Sequence, residues 1–330
     1  MKKRPTVLAI LFFCLGAFIM IGFNQFLKKE GDASSSAADL ENRGQVMYVT
    51  PEQFEAGGVG SKDDSEAIQN AIDYSAKSNV GMVRLTGNKT YVLTKGVVIR
   101  EKVELQLDQN TKIQVTGDFR VFELERNASI TNGIIEIVTP TFTSEVIYID
   151  GQTQNWSTER TRVHNIAIIN SNGMHQGTAL SLYANKPGDY ISFVNISDVN
   201  INGFYNGIRI EARSGEDKHP TWISGNRFTN ITLDHCVRCI ELIGDVSGAN
   251  ETSGNQFSQL QIQISKVTER AIVLSGSSNR IDGIVWDAHL ASETSLIELT
   301  TQSAYNQIEF NLKQNNIINA GNQNNYRGAP

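Results

Sequence analysis

Arg209-Ile210-Glu211 and Ile240-Glu241-Leu242 set an arginine and two carboxylates into short apolar-x-apolar runs. In an extended strand alternate side chains share a face, so Arg209 and Glu211 point one way while Ile208 and Ile210 point the other. If the two runs are neighbouring parallel strands about 4.8 Å apart, Glu241 sits beside Arg209 and diagonally about 8 Å from Glu211. Two carboxylates roughly 6.5–9.5 Å apart suit inverting glycoside hydrolysis, one as acid and one activating water. Arg209 between them would hold a substrate carboxylate and separate their proton affinities. A lyase would use the same face differently: Arg209 neutralises a uronate, and Glu241, Tyr183 or His235 removes the adjacent proton. Tyr148, Asp150 and Tyr183 extend this outward face, where aromatic rings suit stacking on sugars. Asp234, His235 and His175 fall in turns leading into strands, on the border of such a groove. A calcium ion, which a lyase would use, needs several oxygen ligands, and Asp150, Glu211 and Asp234 are candidates without a fixed motif. The plainer reading of Arg209 and Glu241 is a cross-strand surface pair worth about 0.2–1 kcal/mol.

These residues act together only if the chain stacks its strands in register, and its repeats say that it does. One apolar-x-apolar element recurs at Phe122, Ile147, Leu180, Ile208, Ile240, Ile272 and Ile297, in steps of 25, 33, 28, 32, 32 and 25 residues. A second runs in phase with it at Val163, Ile196, Phe228, Phe257 and Ile281, with looser versions at Ile130 and Ile308. Two short elements in step at this period indicate a solenoid. Period-2 runs rich in Ile and Val, separated by Gly, Asn and Ser, indicate strands rather than helices. Asn226, Asn255, Asn279 and Asn306 each precede the second element by two residues. That column predicts an asparagine ladder with a structural role. The expectation is an all-β parallel β-helix.

The ends and the balance of charge place this coil. Three positive charges in 1–4 precede the uncharged apolar run Thr6–Phe23, long enough to span a bilayer. Residues 1–30 therefore read as a signal anchor, with a cleaved signal peptide as the alternative. Positive charges before the span send the rest of the chain outside the cytoplasm, anchored at the cell membrane or secreted. Residues 31–45 read as a linker, 46–314 as the β-helix and 315–330 as a polar C-terminal tail. A net charge of −6 without a basic stripe argues against nucleic acid as a partner. With 40% hydrophobic residues the chain is not a disordered one. Cys236-Val237-Arg238-Cys239 could be a small disulfide, half of a metal site or buried thiols, and a lone CxxC is weak for metal. Trp156 and Trp222 sit in the longer inter-rung insertions, as groove walls or as plugs over the coil.

Before the coil, Ala67, Ile68, Ala71 and Ile72 form one apolar stripe, and Asp63 with Glu66 has capping-box spacing, which predicts a helical lid over about 63–78. The run Gly58-Val59-Gly60-Ser61-Lys62-Asp63-Asp64-Ser65-Glu66-Ala67-Ile68-Gln69-Asn70-Ala71-Ile72-Asp73 resembles the opening motif of the pectate-lyase-like right-handed parallel β-helix superfamily, the pectin lyase fold. Tyr91-Val92-Leu93 and Leu105-Gln106-Leu107 match the strands that follow it there, and the resemblance extends over about residues 46–314. It implies handling of long carbohydrate chains along the outer face of a parallel sheet. It does not fix one activity, because the superfamily includes hydrolases, lyases, epimerases, tailspikes and adhesins. Of the polygalacturonase motifs only Arg209-Ile210-Glu211 comes near, one residue from Arg-Ile-Lys, and Leu233-Asp234-His235 approaches a run of one pectate lyase family. The expected function is that of an extracytoplasmic lyase or glycoside hydrolase on an acidic or complex polysaccharide. The alternative is a non-catalytic carbohydrate-binding or adhesin-like β-helix.

Overall fold

The computed structural model describes residues 48–153, 155–156, 161–246 and 248–329. The apolar segment 1–30 and the linker 31–45 lie outside the described residues. Among the described residues no helix is long and apolar enough to cross a membrane.

From Val59 onward the strands pair in parallel, each with the strand one turn of the coil before and after it. Phe122, Ile147, Leu180, Ile208, Ile240, Ile272, Ile297 and Ile317 are successive partners in one column of strands. Ile130, Val163, Ile196, Phe228, Phe257, Ile281 and Ile308 are successive partners in another. Stacking at the strand spacing buries every second side chain beneath its neighbour, so these positions form one continuous apolar interior. The rings of Phe228 and Phe257 lie parallel, 4.2 Å apart, as the register dictates. The chain is a parallel β-solenoid.

The periodicity of the sequence resolves two columns, and the described residues form four. A third contains Tyr91, Ile113, Ile135, Ile168, Ile201, Leu233, Ile262 and Val285. It follows the second after a bend at a single left-handed residue: Asn165, Asp198 and Asn230 have φ of 53°, 57° and 54°. Asn and Asp tolerate that conformation at low cost, so the chain turns a corner without any Gly or Pro to mark it. A shorter fourth column contains Tyr190–Ser192, Thr221–Ser224 and Asn250–Ser253.

The asparagine ladder is present and longer than expected. Asn226 Nδ2 donates to Asn255 Oδ1 at 3.0 Å, Asn255 to Asn279 at 3.1 Å and Asn279 to Asn306 at 3.0 Å. Asn306 continues it to Asn324 at 2.9 Å. The second amide hydrogen of each goes to a backbone carbonyl, Ile191, Ile223, Thr252 and Gly276 in turn. These side chains are buried with their hydrogen bonds made, which is the condition under which a polar interior column is stable. Asn324 belongs to a last rung that the sequence reading assigned to a polar tail. Ile317–Asn319 pairs with the column strand at Ile297, and Asn325–Arg327 pairs with Gln307–Glu309. Residues 315–330 therefore contain solenoid strands, hidden by a composition rich in Asn and Gln.

A helix, Ser65–Lys77, precedes the first complete turn and buries Ile68, Ala71 and Ile72 in the common interior. Full burial of each isoleucine contributes on the order of 1.5–3 kcal/mol. The two aspartates of the opening motif hold its start. Asp63 Oδ1 accepts from Ser65 N at 3.0 Å and from its hydroxyl at 2.5 Å. Asp64 is fully buried and accepts from Gly57 N at 2.6 Å and Val92 N at 3.1 Å, tying the glycine turn to the strand behind it.

Candidate functional site

The outward side chains of the first column run Glu123, Tyr148, Ser181, Arg209, Glu241, Val273 and Glu298 along the coil. Beside them Asp150, Tyr183, Glu211 and Ile243 form a parallel file two residues further on. Arg209 and Glu241 are thus direct partners on adjacent strands, the arrangement expected from the spacing. Arg209 reaches both carboxylates. Its Nε lies 2.8 Å from Glu211 Oε2 and 3.8 Å from Glu241 Oε2, and a second nitrogen is 2.7 Å from Glu211. A guanidinium therefore bridges the gap between the carboxylates where an inverting hydrolase keeps its water.

Two further arginines complete the cluster. Arg213 pairs with the other oxygen of Glu211, and Arg238 Nη1 donates to Glu241 Oε1 at 2.5 Å. Packed among these cations, Glu211 and Glu241 are only 6% and 5% exposed although they stand on the outer face. Arg238 also lies over the Tyr205 ring and 4.0 Å from Glu269. The sequence reading missed Arg120, Arg213 and Arg238. Arg213 carries a legible signal, the alternation Arg209, Glu211, Arg213, whereas Arg238 precedes its strand's first core residue and Arg120 lies before the Phe122 run.

One open groove of about 420 Å³ lies along this face, with Arg120, Tyr148, Ser181, Tyr183, Arg209, Glu211 and Arg213 in its walls. Tyr148 and Tyr183 stand on neighbouring rungs with ring centres 6.3 Å apart. Tyr148 does not offer a free ring face: the Arg120 guanidinium sits 3.4 Å from its centroid, and the residue is 3% exposed. Arg120 is held there by Glu123 at 3.1 Å and Glu145 at 3.5 Å. Burial, and then the charge of Asp150, push the Tyr148 phenol well above its usual range. Asp150 accepts from Gln152 N at 2.8 Å and so holds the turn after its strand, outside the groove lining.

Asp234 and His235 do not join this groove. Asp234 ends a strand of the third column, where it accepts from Asn202 Nδ2 at 2.8 Å and lies 2.6 Å from His235 Nδ1. His175 packs parallel to His235 with ring centres 6.4 Å apart, and its Nδ1 is 3.0 Å from the His235 carbonyl oxygen. Both histidines are left-handed turn residues, φ 50° and 49°, which accounts for their place. Asp150, Glu211 and Asp234, the calcium candidates, are not brought together, and no group of three His, Cys, Asp or Glu suited to a metal ion forms among the described residues. Cys236 and Cys239 are buried free thiols. The hydrogen bond to Cys236, with burial, pushes the Cys239 thiol up. Trp222 stacks on Tyr190 at 4.7 Å, and Trp156, 47% exposed, stands edge-on to Phe193 at 4.9 Å. Both tryptophans lie on strands of the fourth column.

No family model matches the chain. A stretch of 55 residues is 46% identical to a protein of Klebsiella phage KN3-1 named depolymerase 1, capsule KN3-specific. That stretch is 17% of this chain, and the match spans 7% of the relative's length. Among solved structures, the tailspike of E. coli bacteriophage HK620, determined as a mutant in complex with a pentasaccharide, is 13% identical with a TM-score of 0.43. The likeness covers 89% of this chain and 64% of the tailspike. PfbA, a surface adhesin of Streptococcus pneumoniae, is 12% identical with a TM-score of 0.37, over 85% of this chain and 90% of PfbA.

Proposed function

We propose that this chain binds an acidic polysaccharide along the groove of the first column and cleaves it there, as a lyase or a glycoside hydrolase. The observation that carries the reading is the cluster of Arg209, Arg213 and Arg120 in the wall of one groove, with Tyr183 and Ser181 between them. Guanidinium groups recognise carboxylates through paired, charge-assisted hydrogen bonds. An incoming uronate would compete with Glu211 and Glu241 for Arg209, releasing a carboxylate beside the bound sugar. In that role Arg209 neutralises the substrate, and Glu241 or Glu211 moves the proton. Tyr148 stands in the groove wall and Asp150 holds the turn beyond its strand, whereas Asp234 and His235 lie outside the groove and take no part at the reacting bond. Calcium would assist only if the substrate itself completed the oxygen shell. The name of the phage relative, a capsule depolymerase, agrees with this chemistry. We also propose that the working domain lies outside the cytoplasm, either anchored in the membrane by residues 1–30 or secreted.

A second reading, a non-catalytic polysaccharide-binding or adhesin-like coil, is favoured by one feature. Each candidate carboxylate already lies within ion-pair distance of two arginines, which compete with a substrate proton for its oxygens. The test is incubation of the purified protein with uronate-rich and neutral polysaccharides, with and without calcium. New reducing ends with ultraviolet absorbance indicate a lyase, and reducing ends alone a hydrolase. Binding to acidic polysaccharide without either product selects the second reading.

A further inference from the structure

The groove along the first column is not uniform in charge. Its lining runs over four successive rungs, from Arg120 through Tyr148 and Ser181 to Arg209, so a chain laid along it meets each rung in turn. At the Arg209 end the cations lie outermost. Arg209 and Arg213 both hold Glu211, which is buried beneath them, while the Arg213 side chain is 54% exposed. Two guanidinium groups against one carboxylate leave a positive charge on this part of the lining.

At the Tyr148 end the balance reverses. Arg120 lies 3.1 Å from Glu123 and 3.5 Å from Glu145, and among the described residues no other cation is within ion-pair distance of either carboxylate. Asp150 adds a third carboxylate, with Oδ2 3.4 Å from the Tyr148 hydroxyl. Three carboxylates against one guanidinium leave this end negative. The Tyr148 phenol reports that balance. Burial raises it first, and the charges add to the rise: Asp150 outweighs Arg120, and Glu145 and Glu123 push the same way. Between the two ends stand Thr178, Ser181 and Tyr183, all uncharged. Tyr148 and Arg209 are two rungs apart, about 10 Å, close to the length of a disaccharide.

We propose that the groove selects a heteropolysaccharide with sparse acidic residues, the acidic group lying at Arg209 and Arg213 and neutral sugars over Ser181 and Tyr148. This rests on the reading of the groove as an acidic-polysaccharide site and narrows its substrate class. A second carboxylate two sugars along the chain falls beside Glu145, where like charges repel it. A homouronan and a polymer of alternating acidic and neutral sugars both place one there. Arg120, engaged by Glu123, Glu145 and the Tyr148 ring, does not offset the repulsion. A repeat with one acid in three or more sugars keeps the attraction at one end and avoids the repulsion at the other.

The test is calorimetric titration of the purified protein at low salt. The ligands are oligosaccharides of gellan and glucuronoxylan, in which acids are sparse, of hyaluronan, in which they alternate, and hexagalacturonate, in which they are contiguous. At least one sparse ligand should bind about tenfold more tightly than the alternating and contiguous ones. Glu145→Gln should narrow that preference about fivefold, the scale of a unit charge about 7 Å away at an effective dielectric of about 50. Glu123→Gln, at the same end, should act in the same direction, so the test does not hang on one variant folding. Equal affinity for sparse and contiguous ligands, with binding lost in Arg209→Ala, would leave the acidic-polysaccharide reading standing and overturn the selection for sparse acids. So would a preference unchanged in both glutamate variants. If no acidic oligosaccharide binds, or Arg209→Ala binds them all as the wild type does, the reading of the groove fails and the selection with it.

Discussion

Asn255 is the side chain whose removal should cost this coil most for its size. It makes four hydrogen bonds in a fully buried position. Its amide donates to Asn279 Oδ1 at 3.1 Å and to the Ile223 carbonyl at 3.0 Å. Its oxygen accepts from Asn226 N at 3.2 Å and Asn226 Nδ2 at 3.0 Å. Asn255→Ala takes a buried partner from each of these four groups, two of which keep another: Asn279 Oδ1 still accepts from the backbone N of residue 255 at 2.9 Å, and Asn226 Nδ2 still donates to the Ile191 carbonyl at 3.2 Å. Each hydrogen bond is worth about 0.5–1.5 kcal/mol net, and each stranded buried group costs about 1–3 kcal/mol. If a trapped water rescues half of them, the loss is still about 3–5 kcal/mol, a large share of the 5–15 kcal/mol typical of a domain. Asn324 ends the ladder at the partly exposed last rung, where solvent can replace its bonds, so Asn324→Ala should cost about 1–2 kcal/mol. Urea unfolding of the purified protein, read by circular dichroism with the two variants compared at equal m-values, measures both. A loss below about 1 kcal/mol for Asn255→Ala, or equal losses at the two positions, would refute the claim that the ladder's buried bonds hold the rungs together.

The clamped carboxylates predict that Arg209→Ala weakens binding of acidic polysaccharide about tenfold to a hundredfold, measured by calorimetry, with little effect on neutral polymers. Glu241→Gln should abolish turnover while sparing binding if the protein is an enzyme, which reducing-end and binding assays on the same sample separate. Burial alone would raise Glu52, Asp63 and Asp118, but their hydrogen bonds outweigh it and hold all three below the ordinary carboxylate range. A group that releases its proton more readily when folded stabilises the fold above its unfolded pKa, and that stability goes as pH falls through the folded value. Thermal unfolding scanned downward from pH 6 should therefore show a falling transition temperature below about pH 4.5, and Thr94→Val, which removes a donor to Asp63, should reduce that slope. Cys236 and Cys239, both buried, should stay unalkylated by iodoacetamide until the coil is unfolded, as peptide mass spectrometry reads directly.

Much of this architecture is legible in the residues because stacking in parallel makes the sequence repeat what the structure repeats. The registers Phe122 to Ile297 and Val163 to Ile281 follow from spacing alone, and so does the pairing of Arg209 with Glu241. The corner at Asp198 was not legible, since one left-handed residue in an alternating run leaves no punctuation. The last rung was hidden by its polar strands, where Asn324 and backbone pairing replace apolar burial. Around the candidate site the outward file could be read, but not what covers it. Arg120 over Tyr148 and Arg238 against Glu241 come from strand ends, where long flexible side chains have no fixed direction in sequence, whereas Arg213 against Glu211 continues the alternation of its strand. Asp234 and His235 looked like groove-border residues because turn residues adjoin strands on both sides. Chain distance does not say which face a turn overlooks.

Whether the arginine-lined groove receives an acidic polysaccharide is tested most directly by glycan-array binding of the folded protein and of Arg209→Ala, each at low and high salt. The wild-type protein should bind uronate-containing or otherwise acidic glycans at low salt and lose them at high salt, and Arg209→Ala should lose them at both. Binding of acidic glycans that is unchanged by Arg209→Ala, or an array on which only neutral glycans bind, would contradict it.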